Sequence, residues 1–170
     1  MENLKHYTTG NKTEEKFLRT KTKDFDPTSI SVAELRDLLK KMRSLMIKAK
    51  GIGLSANQVG LPHRFFIAQL EGHDGKPKFY AVFNPKIKKI SKETSKMEEG
   101  CLSIPETLGL VERPIEVEIE AQDSKGKKVK MRAWGLLARV FQHEMDHLDG
   151  VLFTDKATDI RHEKYLDSSI

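Results

Sequence analysis

A glutamate set between two histidines four positions apart is the combination in this sequence best suited to chemistry. In His143-Glu144-Met145-Asp146-His147, the two imidazoles would lie about 40° apart on a helix, close enough to hold one cation. Glu144 falls about 100° around from His143, at the edge of the same face. From there a carboxylate can hold a water at the metal and shuttle its proton without being a ligand itself. The same pattern can arise by chance on a solvent-facing helix. The flanking residues argue against that. The histidine face continues into Leu136 and Val140, and Leu137, Phe141, Met145 and Leu148 form a second apolar face. Such a helix is central and buried, and buried imidazoles need partners.

A catalytic cation needs a third protein ligand and one open position. Downstream, His162 and Glu163 are available, but no recognisable motif surrounds them. Upstream stands the sole cysteine, Cys101, in Glu99-Gly100-Cys101-Leu102-Ser103. A lone cysteine is most often just a small buried side chain. As a thiolate it needs positive charge nearby, and a divalent metal would supply it. Two imidazoles and one thiolate leave a fourth tetrahedral position for water.

The elements that must position these groups leave local marks. Ser31 and Glu34 form a capping box, and Leu35, Leu38, Leu39, Met42, Leu45 and Met46 follow at helical spacing, with Gly51 as the stop. Strands are predicted at Arg64–Leu70, Phe79–Phe83 and Ile115–Ala121, the last alternating strictly. A turn at Asp123–Lys127 leads into Lys128–Trp134 and predicts an antiparallel hairpin. The motif helix runs from Gly135 to Leu148 and stops at Asp149-Gly150. Residues 1–30 are polar and carry little periodic signal. Helices toward the two ends with strands between them indicate an α+β fold.

Composition narrows the class. A chain of 170 residues with 38% hydrophobic and 32% charged residues suits one globular domain. No apolar run approaches the roughly 18 residues that a membrane span needs. The polar opening Met1–His6 carries no apolar leader, and a single cysteine excludes an intramolecular disulfide and suits a reducing compartment. A cytoplasmic protein is expected, from a bacterium or borne by a phage into its host, or else an organellar one. The net charge of +5 is spread along the chain, which reads as a solvated mixed-charge surface rather than a nucleic-acid site.

Three segments together resemble the peptide deformylase family. Gly51-Ile52-Gly53-Leu54-Ser55-Ala56-Asn57-Gln58 is similar to its glycine-rich first motif, Glu99–Ser103 to its second, and His143–His147, with Asp146 at the fourth position, to its third. The three occur in order and at matching separations, which makes the likeness specific. A weaker likeness runs from Phe17 to Asp155, so that one catalytic domain over 1–170 with its core at 17–155 is expected. The resemblance implies antiparallel strands wrapped around a central motif helix. It implies a hydrolase that removes the formyl group from the N-terminal formyl-methionine of nascent polypeptides and releases formate.

By the same resemblance, Cys101, His143 and His147 hold the metal, natively Fe²⁺, with Zn²⁺, Ni²⁺ or Co²⁺ as substitutes. Glu144 is the general acid/base, and Gln58 with the backbone N–H of Leu102 stabilises the oxyanion as hydroxide at the metal attacks the formyl carbon. Ile52, Gly53, Glu99, Gly100, Leu136, Arg139 and Val140 would border the substrate. Asp146 would pair with Arg113 as a structural ion pair.

The chain also departs from the family. Ser55 stands where alanine is common, and its hydroxyl is expected to bond locally. Arg139 stands where many members carry an aliphatic side chain. It is expected to snorkel, its methylenes on the pocket and its charge in water. Leu108 stands where the family has an arginine for the peptide backbone. The chain stops at Ile170, short of the long C-terminal helix that many bacterial members dock on the ribosome, so ribosome docking through such a helix is not expected. Two other readings compete. A metallopeptidase cleaving internal peptide bonds would need a downstream third ligand and a dispensable Cys101. A basic RNA-binding module would need a fourth protein ligand closing a structural metal site.

Overall fold

The computed structural model describes residues 4–72 and 74–163. The first helix, α1 (Lys12–Leu18), begins where the Asn11 side chain accepts from the backbone N–H groups of Thr13 and Glu14. Helix α2 (Val32–Lys48) opens on the capping box, with both Ser31–Glu34 bonds formed, and buries Leu35, Leu38, Met42 and Met46. The chain then runs through β1 (Gly53–Ser55), a 3₁₀ turn (Ala56–Val59), β2 (Phe65–Glu71), β3 (Pro77–Ile90), β4 (Thr94–Cys101) and β5 (Ile104–Pro114). There follow β6 (Glu116–Gln122), β7 (Lys128–Trp134), helix α3 (Leu136–Leu148), a 3₁₀ turn (Phe153–Asp155) and β8 (Thr158–His162).

Named strands pair antiparallel in two sheets, β1-β2-β3-β6-β7 and β4-β5-β8. The larger sheet lies between the two long helices, and the period of its strands shows it. On β2, Phe66 and Ala68 join α3 residues Ala138, Phe141, Met145 and Leu148 in one apolar cluster. Phe65 and Ile67 join α2 residues Leu35, Leu38, Met42 and Met46 in another. Successive side chains on a strand point to opposite faces, so one segment serves both cores. The smaller sheet meets α3 from the other side. The fold is α+β, with antiparallel strands around the motif helix, as the sequence indicates.

Several local expectations are corrected. Residues 1–30 hold α1, seven residues long and therefore without room for a periodic stripe. Strand β3 runs well past the Phe79–Phe83 segment that marks it. Its second half is exposed and lysine-rich, which hides a strand from an apolar count. Strand β4 went unmarked because it is mostly exposed, and β5 because its buried positions include Thr107, Gly109 and Arg113, which give no apolar alternation. A strand, β8, follows the motif helix. The C-terminal-helix expectation falls on residues 164–170, which lie outside the described residues.

Candidate metal centre

Helix α3 needs an abrupt start, because β7 must end and turn onto the sheet face. Gly135 provides it at φ +60°, ψ −130°, a backbone conformation closed to side chains with a Cβ. From that start, His143 and His147 face the end of β4. There the β4–β5 pairing slips between Gly100 and Cys101, and the irregularity presents the thiol. Cys101 Sγ lies 3.1 Å from His147 Nε2. One donor atom each from Cys101, His143 and His147 falls within 4.8 Å of the others.

This set fits a divalent cation. Ligand atoms about 2.0–2.3 Å from a tetrahedral ion sit about 3.3–3.8 Å apart, and these need only small shifts. Three features prepare the donors. Burial pushes the Cys101 thiol up, but the His147 and His143 imidazoles outweigh it and hold the thiol well below its ordinary 9.0. It also accepts from the Ser103 N–H at 3.4 Å and the Gln58 amide at 3.6 Å. His143 Nδ1 lies 3.0 Å from Glu99 Oε2, which frees Nε2 for the metal, a common carboxylate–histidine support.

Glu144 lies buried on the edge of the histidine face. A Cβ on Gly53 would collide with its carboxylate and with Val140, so only glycine lets β1 pass this close. Burial pushes the Glu144 carboxyl above its ordinary 4.5, toward the range in which a group can both take and return a proton. The Ser55 hydroxyl lies 2.7 Å from Glu144 Oε2 and 2.8 Å from the Glu144 carbonyl. The expectation of a local bond for Ser55 is therefore corrected: its partner is 89 residues away. The hydroxyl sits on a strand that crosses α3, where no residue near it in sequence competes.

Gln58 Oε1 accepts from the Ser55 N–H at 2.8 Å, and its amide nitrogen donates to Ser103 Oγ at 3.1 Å. The carbonyl end is pinned, so the NH₂ end is turned toward Cys101. Asn57 Nδ2 donates to the His147 carbonyl at 2.6 Å and ties the motif helix to this loop. Ser55, Asn57 and Ser103 were not assigned any role at the site from sequence. Their only signal is that they stand inside the first and second motifs.

All seven residues expected at the substrate, Ile52, Gly53, Glu99, Gly100, Leu136, Arg139 and Val140, line one cleft of about 320 Å³, together with Gln58, Cys101, Leu102, His143 and Glu144. Leu108 lines it too, so an alkyl chain stands where the family has a guanidinium.

Two expectations at this cleft change. Arg139 does not snorkel. It is 6% exposed, and its head donates to Glu99 Oε1 at 2.6 Å, to the Val111 carbonyl at 3.0 Å and to the Ser95 carbonyl at 2.6 Å. The smaller sheet covers this turn of α3 and offers a carboxylate and two carbonyls, so burial with three partners replaces exposure. Glu99 in turn is held by Arg113 through both oxygens, at 2.6 and 2.9 Å. Its carboxylate is committed to two guanidinium groups and one imidazole, and so braces the site instead of offering itself to substrate. Arg113 also donates to Asp146 Oδ2 at 2.7 Å, and Lys156 reaches the same carboxylate. Neither downstream candidate joins the centre: His162 sits on β8 beside Thr107 Oγ1, and Glu163 pairs with Arg161.

Residues 11–163 match the family model for polypeptide deformylase. The chain belongs to that family. It is 45% identical to a peptide deformylase of Symbiobacterium thermophilum, over 85% of this chain and 64% of the relative. Among solved structures, it is similar to a peptide deformylase of Thermotoga maritima at TM-score 0.80 and 34% identity, covering 93% of this chain and 99% of that one. A Synechococcus elongatus peptide deformylase in complex with actinonin gives TM-score 0.79 and 38% identity, covering 92% and 79%. Members of the deformylase family are metalloenzymes, and the Cys101–His143–His147 cluster suits one. Among the described residues no helix is long and apolar enough to cross a membrane.

Proposed function

We propose that this chain hydrolyses the formamide bond of N-terminal formyl-methionine on nascent polypeptides, releasing formate and a free amino terminus. The observation that carries the reading is the convergence, in one cleft, of a three-donor cation site, a buried carboxyl and a pinned carboxamide. When bound at Cys101, His143 and His147, a divalent cation supplies Lewis acidity toward water and toward the formyl oxygen. Fe²⁺ is the proposed native ion, and Zn²⁺, Ni²⁺ or Co²⁺ would substitute.

The protein's own groups do the rest. Glu144 accepts a proton as the water oxygen bonds to the formyl carbon, and returns it to the methionine nitrogen as the C–N bond breaks. Its two oxygens have different duties, because the Ser55 hydroxyl holds one and the other faces the cleft beside Gly53. The Gln58 NH₂ and the Leu102 N–H would donate to the oxygen that becomes negative, a stabilisation worth about 10²–10³ in rate for one such donor in other hydrolases. Ile52, Gly53, Gly100, Leu136 and Val140 receive the methionine and the backbone behind it. The proposed substrate partner is the nascent chain itself, and the site of action the cytoplasm or an organelle that makes formylated proteins.

Formate release from formyl-Met-Ala-Ser, with protein loaded anaerobically with Fe²⁺, tests the reading. Turnover that depends on the metal and on Glu144 is expected. Stoichiometric metal at Cys101, His143 and His147 with no formate released would overturn it.

A further inference from the structure

The cleft does not stop at its rim. Ile52 and Leu136 also line a neighbouring groove of about 1270 Å³, which continues past Trp134 and Met131 on β7 to Tyr80 on β3. Trp134, the sole tryptophan of the sequence, is 69% exposed, with Leu136 at 50% and Ile52 at 43%. Singly exposed apolar residues are ordinary, but three large ones lining one groove mark a contact surface. The charges lining it cancel, Lys78 and Arg132 against Glu71 and Asp74, so neither an anion nor a cation is attracted as such.

We propose that this groove seats apolar side chains of the substrate polypeptide from about its fourth residue onward, with Trp134 as the platform. The proposal rests on the function proposed above. A polypeptide whose first residue fills a cleft of about 320 Å³ must pass its later residues over the rim. Through Ile52 and Leu136 the lining continues from cleft to groove, so an apolar segment can follow it without leaving apolar contact. Trp134 ends β7, at the edge of the larger sheet. Its indole gives a flat face with little conformational freedom to lose on binding. The chemical class selected is therefore formylated chains whose early residues are apolar, as opposed to those of either charge.

Two measurements test this. The first compares kcat/KM for formyl-Met-Ala-Ser-Leu-Leu-Leu and formyl-Met-Ala-Ser-Ser-Ser-Ser. The leucine peptide is expected to be about fivefold better, the effect of partly burying one or two such side chains. In Trp134→Ala the ratio of the two should fall to about one. The second uses Trp134 itself as the only indole fluorophore, titrating the metal-loaded protein with unformylated Met-Ala-Ser-Leu-Leu-Leu. A saturable change absent with Met-Ala-Ser is expected. Equal ratios in wild type and variant, with no fluorescence change, would overturn the groove while formate release from the tripeptide kept the proposed function standing. Failure of formate release from every peptide would overturn that function, and the titration would still decide the groove. A fluorescence change driven by protein concentration alone would mean that a second copy of the chain covers Trp134, and would also overturn it.

Discussion

The two sides of α3 are held in opposite ways. Toward the larger sheet, Ala138, Phe141, Met145 and Leu148 pack on Phe66, Val82, Val117 and Ile119, with Phe141 edge-on to Phe66 and Tyr80 at 5.2 and 5.6 Å between ring centres. Toward the smaller sheet, Arg139 and Asp146 meet Glu99 and Arg113 in a buried ionic chain that ends on His143. Apolar packing is non-directional and does not by itself fix the orientation of a polar head. Charge-assisted bonds are short and directional, and fix the orientation of what they touch. A cation held by His143 would need that imidazole oriented, and the ionic side is where His143 is held. One side of the helix supplies stability; the other supplies stability and aim together.

Removing the groups at the centre itself should have the largest effect. Glu144→Ala should lower kcat by about 10²–10⁴ or more while metal content stays stoichiometric. Cys101→Ala should lose metal and activity together. Metal analysis beside turnover distinguishes the two variants. Stoichiometric metal and full rate in Cys101→Ala would remove the thiolate from the site.

The next pair tests the comparison directly. Phe141→Ala should destabilise the fold by about 3–5 kcal/mol through the cavity it leaves. Glu99→Ala should cost a similar amount, about 3–5 kcal/mol, because it strands the buried Arg113 and Arg139 heads. Urea unfolding reads both. Only Glu99→Ala should also weaken metal binding, by about 10–100-fold, since it unpins His143. Equal metal affinity in the two variants would mean that aim does not come from the ionic side.

Arg139→Leu should have a smaller effect, because Arg113 still holds Glu99. Its loss leaves the Ser95 and Val111 carbonyls short of a partner, at about 1–3 kcal/mol of stability. Turnover of formyl-Met peptides should change by less than about tenfold. A loss of a hundredfold or more would place the guanidinium against substrate. Ser55→Ala should be the mildest. It leaves metal and KM unchanged and lowers kcat by about tenfold, the low end of the roughly 1.5–3 kcal/mol that a hydrogen bond to a charged group is worth. A KM effect without a kcat effect would show that Ser55 shapes the pocket instead of orienting Glu144.

The sequence by itself determined what is local. The spacing of His143 and His147 and the capping box of α2 need no distant partner, because helix geometry relates neighbours in sequence by fixed angles; Cys101 joined them as an expected donor only through the family resemblance. The larger sheet was legible for the same reason: alternation in Ile115–Ala121 and the Asp123–Lys127 turn need no distant partner. Only the tertiary structure decided what Arg139, Ser55 and Glu99 do. Each carries a polar head whose best partner lies far along the chain, and periodicity holds no information about that partner. Arg139 shows the physics plainly. Alone on a helix, its charge belongs in water; covered by β4 and β5, which bring a carboxylate and two carbonyls, the same head is better satisfied inside. Burial of a charge depends on whether partners arrive with the cover. That is settled by strands some thirty to forty residues upstream, and no local pattern records it.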